Sequence, residues 1–159
     1  MKPREKRSLG REYSFKFIFH FFFEQEKTVF NINDEEILRE EIEERMLLLQ
    51  DTIDIKPDNS NFSFIYKLIS GTIKHTEELE KNLSITLKNW RPSRISKVEH
   101  TLLLLSSEEI IYSKDVPPNV IMNEYIELAK KFGGKESGSF LNGVLNAIFE
   151  AHNLKIKND

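Results

Sequence analysis

The chain has 159 residues, of which 39% are hydrophobic and 31% charged, and its formal net charge is −3. This composition indicates a folded domain and excludes a disordered chain, and no apolar run approaches the roughly 20 residues of a transmembrane helix. Because there is no cysteine, disulfides, thiolate metal sites and cysteine nucleophiles are excluded. No secretory signal is recognisable, so we expect a cytoplasmic protein, and we expect no cofactor.

Positive charge is concentrated at the N-terminus. Residues 1–16 carry six basic and two acidic side chains, a net charge of +4, so the remainder carries −7. Such a cluster can attract phosphate groups on an acidic protein, because nearby charges dominate the local field. Arg4, Arg7 and Arg11 are spaced to share one helical face. The alternative, a set of solvated charges without a specific role, stays open at this point.

The aromatic segment that follows fits two kinds of secondary structure. Aromatic residues at every second position from Tyr13 to Phe21 are typical of a half-buried strand. A helix would instead bury one face formed by Phe15, Ile18, Phe19 and Phe22. Since the rest of the chain offers no strand as a partner, we predict a continuous helix from about Arg4 to Gln25.

Two more helices are predicted before the middle of the chain. The first is capped by Asn33 and runs to about Gln50, with acidic residues in its first turn. The second is a long amphipathic helix from about Asn61 to Lys88, with Gly71 as a bend or a point of close packing.

Three helices are predicted in the second half. Ser96 and Glu99 have the spacing of a capping box, and the helix that follows, to about Tyr112, is apolar on all sides and should be the most buried. The next helix begins near Pro118 and ends at a pair of glycines. The last is capped by Ser137 and ends near residue 153. We therefore expect an all-α bundle of about six to seven helices, with one domain over residues 1–153 and a polar tail over 154–159.

Residues that often carry chemistry are scattered in this chain. The four histidines form no metal-binding motif, and the glycine-rich segment 133–138 lacks the spacing of a nucleotide-binding loop. The first amides of the last helix, beside Lys135, could instead hold a phosphate of a nucleic acid. We therefore expect a binding protein and not an enzyme.

A combination of motifs resembles the NusB family. The resemblance covers nearly the whole chain, although residues 25–60 match only in general pattern. Its N-terminal part is the arginine-rich start, and its middle includes Trp90 and Arg94. The most specific pieces are Asp115–Val120, Asn123–Glu124, Ile126–Gly133 and Phe140–Leu145.

The resemblance implies an all-α domain of two packed helical halves that acts in transcription antitermination. Proteins of this family bind the box A element of nascent RNA together with NusE, a ribosomal protein, and help RNA polymerase in the elongation complex to read through terminators, notably in ribosomal RNA operons. By position, the partner NusE would contact Phe19 and Glu99. RNA would contact one surface formed by the first helix and the start of the last, through Arg4, Lys6, Arg7, Arg11, Lys135, Ser137 and Phe140.

The chain also departs from the family pattern. Tyrosine is usual at Phe19, and arginine, alanine and tyrosine are usual at Leu104, Ser106 and Glu108. Alternative functions are a divergent or homodimeric interaction module, or an accessory subunit of an RNA cytosine methyltransferase. Catalysis by this chain is not expected, because such enzymes use a cysteine nucleophile.

Overall fold

Seven α-helices form most of the computed structural model, which describes residues 2–24 and 28–158, with side chains as far as residue 153. Those residues contain no β-strand, so the predicted all-α class is confirmed. None of their helices combines the length and the hydropathy that a membrane span needs. The helices are α1 (Pro3–Phe19), α2 (Glu35–Leu48), α3 (Phe62–Lys74), α4 (Thr76–Thr86), α5 (Lys97–Tyr112), α6 (Pro118–Gly133) and α7 (Lys135–Asn158).

The helices fall into two compact units. Met1–Lys74 contains α1 to α3, and His75–Asp159 contains α4 to α7. The boundary divides the single long helix predicted from Asn61 to Lys88, so that prediction is wrong, and Gly71 lies inside α3. Acidic residues in the first turn of α4 favour the start of a new helix at this point. At the other end, α7 continues to Asn158, through most of the predicted tail.

The aromatic segment is helical, as predicted, but its buried face differs from the predicted one, because Phe19 and Phe22 are only half-buried. Phe15, Phe17, Ile18 and Phe21 are all at most 4% exposed. The α-helix gives way to a π-helical turn at His20–Glu24, and the rings of Phe17 and Phe21 lie 4.8 Å apart between centroids. A π-helical turn shifts the helical register, so residues after His20 leave the α-helical face on which Phe22 was predicted. The predicted end of the helix at Gln25 lies outside the described residues.

The first turn of α2 is capped one residue later than predicted. The carboxylate of Asp34, not the side chain of Asn33, accepts hydrogen bonds from the amides of Glu36 and Ile37, at 3.0 and 3.1 Å. Aspartate at this position satisfies amides that have no partner in the helix and places a negative charge at its positive end.

Helix α5 is the buried centre of the C-terminal unit, where it contacts α4, α6 and α7. Every residue from Thr101 to Ile110 is buried, which confirms the prediction from its apolar circumference. The helix begins with the predicted capping box: the Ser96 hydroxyl accepts from the Glu99 amide at 3.1 Å, and the Glu99 carboxylate accepts from the Ser96 amide at 3.0 Å.

Candidate nucleic-acid interface

The N-terminal end of α1 presents an exposed basic surface. Arg4 and Arg7 are exposed and Lys6 is half-buried. Pro3 occupies the first turn, where its missing N–H costs nothing, and Glu5 accepts a hydrogen bond from the amide of Lys2 at 3.1 Å. Within the described residues, neither arginine forms a salt bridge. Their guanidinium groups therefore remain available to a phosphate group.

Arg11 does not belong to this exposed surface. It is only 2% exposed, and its guanidinium carbon lies 5.2 Å from the ring centroid of Phe64 on α3. The expectation that three arginines share an exposed face is therefore wrong for Arg11, because α3 packs against α1 and covers that position. Arg7 lies over the same ring at 5.5 Å while staying exposed. The aromatic ring thus stabilises both cations.

Lys6 has an acidic neighbour in the loop before α3. The pKa of Asp58 lies below its usual value, mainly because the side chain and amide of Ser60 donate hydrogen bonds to its carboxylate, and in smaller part because of the charge of Lys6. Asp58 is therefore ionised at neutral pH and offsets part of the positive potential at Lys6. Arg4 and Arg7 contribute more to the basic surface than Lys6 does.

The turn between α6 and α7 is built by two glycines. Gly134 has a φ of 96°, in the left-handed region that other residues rarely adopt. The Ser137 hydroxyl donates to the carbonyl of Gly133 at 3.2 Å, and a Cβ on Gly133 would lie 2.6 Å from that hydroxyl.

The predicted cap at Ser137 is therefore misplaced, because α7 begins at Lys135 and Ser137 lies inside its first turn. Ser137 is 6% exposed, so its role is to close the turn. Lys135 is exposed beside the first amides of α7, which have no acceptor one turn earlier in the helix.

Phe140 is 37% exposed on α7 and lines a groove of about 650 Å³ in the C-terminal unit. The sequence pattern predicted Phe140 as an RNA contact but not the groove around it. A signal was present, since residues 84–98 contain four basic side chains and no acidic one in a chain that is acidic overall. The other lining residues are Thr86, Leu87, Lys88, Asn89, Trp90, Arg91, Arg94, Ile95 and Val144.

The two residues predicted to face NusE have packing or capping roles within their own units. Phe19 is half-buried, with its ring centroid 5.6 Å from that of Phe15, and Glu99 caps α5. The three positions of α5 at which the resemblance predicts other residues, which are Leu104, Ser106 and Glu108, are at most 6% exposed. A hydrogen bond of 2.8 Å joins the Glu108 carboxylate and Nδ1 of His75. These three positions therefore belong to the core of the C-terminal unit.

The described residues hold no group of three or more histidine, aspartate or glutamate side chains that could bind a metal ion. Histidines instead pair singly with carboxylates, as His75 does with Glu108 and His100 with Glu80. The exposed end of α1 and the groove present cations and aromatic rings instead, and these side chains suit the binding of a nucleic acid.

Comparisons with known proteins agree with this description. The model of the NusB family matches residues 9–150. The transcription antitermination protein NusB of an Exiguobacterium species is 35% identical over 126 residues, which are 79% of this chain and 94% of that protein.

Two solved structures share the fold. NusB of T. maritima has a TM-score of 0.69 and 29% identity, covering 96% of this chain and 93% of that one. A structure of the antitermination factors NusB and NusE in complex with dsRNA has a TM-score of 0.67 and 24% identity, covering 92% and 98%. The family match over most of the chain, together with the helical fold, shows that this protein belongs to the NusB family.

Proposed function

We propose that this protein is a non-enzymatic antitermination factor that acts in the cytoplasm, binding the box A element of nascent RNA together with NusE. In this role it would join the transcription elongation complex and promote read-through, including in ribosomal RNA operons. The observation that carries the proposal is the exposed basic end of α1 on a chain whose net charge is negative.

The N-terminal unit supplies the cations for this interaction. Arg4 and Arg7 extend into solvent without a carboxylate partner among the described residues, and arginine suits the planar, bidentate recognition of phosphate. Arg11 packs against the ring of Phe64, and the same ring contacts Arg7. Arg4, Lys6 and Arg7 would therefore contact RNA, and Arg11 would have a structural role.

The C-terminal unit supplies a second set of contacts. Lys135 and the first amides of α7 offer a positive charge and N–H donors to a phosphate. Phe140 offers an exposed ring on which a base can stack. Lys135 and Phe140 would therefore contact RNA, whereas the hydroxyl of the buried Ser137 shapes the turn.

The partner NusE comes from the proteins that this chain resembles. The similar NusB in the solved complex is bound to NusE and dsRNA, and we propose the same partner here. Phe19 and Glu99 remain the residues proposed to face NusE. Because Phe19 lacks the hydroxyl that the family pattern expects, a contact there would be apolar.

The RNA assignment predicts a strong dependence on salt. Each phosphate contact to a single strand contributes about 0.7 to the slope of log affinity against log salt concentration. Four contacts, from Arg4, Lys6, Arg7 and Lys135, predict a slope of about −3, and any further phosphate contact makes it steeper. Fluorescence anisotropy with a labelled box A RNA, and with a shuffled RNA of the same composition as control, measures this slope. Weak binding that is independent of salt and equal for both RNAs would contradict the proposal.

A further inference from the structure

The groove that contains Phe140 has the chemistry of a binding site for single-stranded RNA. Its lining residues include two aromatic side chains, Trp90 and Phe140, and three cationic ones, Lys88, Arg91 and Arg94. No acidic residue lines it. Within the described part of the chain, none of the three cations forms a salt bridge. A single strand of RNA suits both kinds of side chain, because its phosphates can contact the cations and its bases can stack on the aromatic rings.

The backbone of the segment before α5 fixes the cations. Residues Pro92–Arg94 form a single 3₁₀ turn, in which the amide of Arg94 donates to the carbonyl of Arg91 at 2.9 Å. Arg91 is the N-cap of this turn, so its side chain leaves the backbone one turn away from that of Arg94. Both arginines are exposed. They are therefore placed to contact successive phosphates of one strand.

The indole of Trp90 packs against a histidine of α5. Its ring packs edge-to-face on His100, with centroids 5.7 Å apart and an angle of 78° between the planes. His100 in turn bonds to the carboxylate of Glu80 on α4. Trp90 is half-buried, so part of the indole remains accessible in the groove. A ring held in this way binds a base without losing much side-chain freedom.

We propose that this groove binds one unpaired base of an RNA strand against Trp90 and Phe140, with the flanking phosphates on Arg91 and Arg94. The inference rests on the proposed function, which it deepens by adding Lys88, Trp90, Arg91 and Arg94 to the RNA contacts. The groove has room for a base with its ribose, since its volume is about 650 Å³.

Trp90 reports on its own site, because it is the only tryptophan in the chain. Titration of the full-length protein with box A RNA should quench Trp90 emission with the same midpoint as the anisotropy of the labelled RNA.

The double variant Arg91→Gln, Arg94→Gln should bind about tenfold more weakly, with a salt slope smaller by about 1.4, or two contacts. Trp90→Leu should bind about tenfold more weakly, and Trp90→Phe should lose less than Trp90→Leu, because a phenyl ring still stacks on a base. The matched control is Lys114→Gln, at an exposed lysine of the same unit, and it should change neither the RNA affinity nor the salt slope.

The outcomes separate this inference from the proposed function. Unchanged Trp90 emission while anisotropy shows bound RNA, with native affinity in the arginine double variant, would overturn the groove and leave the function standing. An absence of RNA binding by anisotropy would overturn both. A change of Trp90 emission on adding NusE alone, and none on adding RNA, would assign the groove to the protein partner and overturn the inference. Circular dichroism of each variant shows whether the helices are retained.

Discussion

Replacing both Arg4 and Arg7 with glutamate is expected to reduce RNA affinity about a hundredfold. Each replacement removes an attraction to a phosphate and adds a repulsion, and a unit charge at about 4 Å in water contributes about 1 kcal/mol. After screening by salt, the two replacements together should cost about 3 kcal/mol, which corresponds to about a hundredfold in affinity. The measurement is anisotropy of labelled box A RNA at constant ionic strength.

The matched control is the pair Lys81→Glu and Lys114→Glu. Both lysines are exposed in the C-terminal unit, outside the groove lining, and the pair changes the net charge by the same amount. The control should retain most of the RNA affinity. If it loses as much as the Arg4 and Arg7 pair, overall charge would govern binding and the basic end of α1 would have no special role.

The structure explains why Arg11 is unsuitable for this experiment. The side chain of Arg11 is 2% exposed and packs against Phe64. A glutamate there would place a carboxylate in a buried site built for a cation, at a cost of several kcal/mol in folding free energy. A loss of RNA binding in such a variant would report unfolding of the N-terminal unit.

The second large effect concerns the core of the C-terminal unit. Tyr125→Phe is expected to lower the free energy of unfolding by about 2 to 3 kcal/mol. The Tyr125 hydroxyl donates to the carboxyl group of Glu109, and both residues are at most 3% exposed. Removing the donor takes a hydrogen bond from a buried carboxyl group, and bonds to such groups contribute more than average. Urea unfolding followed by circular dichroism measures the change.

Tyr66→Phe provides the control for that substitution. Tyr66 is half-buried on α3, where its ring stacks on Phe62 with centroids 6.3 Å apart. Its ring contacts do not use the hydroxyl, so we expect a change within about 0.5 kcal/mol. A Tyr125→Phe protein as stable as the Tyr66→Phe protein would show that the bond to Glu109 contributes little to folding.

The sequence was sufficient for features that depend on local pattern. The capping box at Ser96 and the burial of α5 were both predicted, because a cap needs only two residues at fixed spacing and an apolar circumference excludes an exposed helix. The break at His75 was missed since helical periodicity continues across it, and the acidic first turn of α4 was read as part of a longer amphipathic helix.

Features that depend on packing between helices were not accessible in the same way. Helical spacing places Arg11 on the face of Arg4 and Arg7, but only the position of Phe64 on α3 shows that Arg11 is covered. The groove beside Trp90 likewise forms where α7 meets the segment before α5, and residues about 50 positions apart in sequence line it together.

The most direct test of the proposed function is assembly with NusE and RNA. The protein, the NusE of the same organism and box A RNA are mixed and separated by size-exclusion chromatography with light scattering, alongside each pair of components. We predict a single species with the mass of one copy of each component, and loss of RNA from that species in the Arg4→Glu, Arg7→Glu protein. Separate elution of NusE from this protein, both with and without RNA, would contradict the proposal.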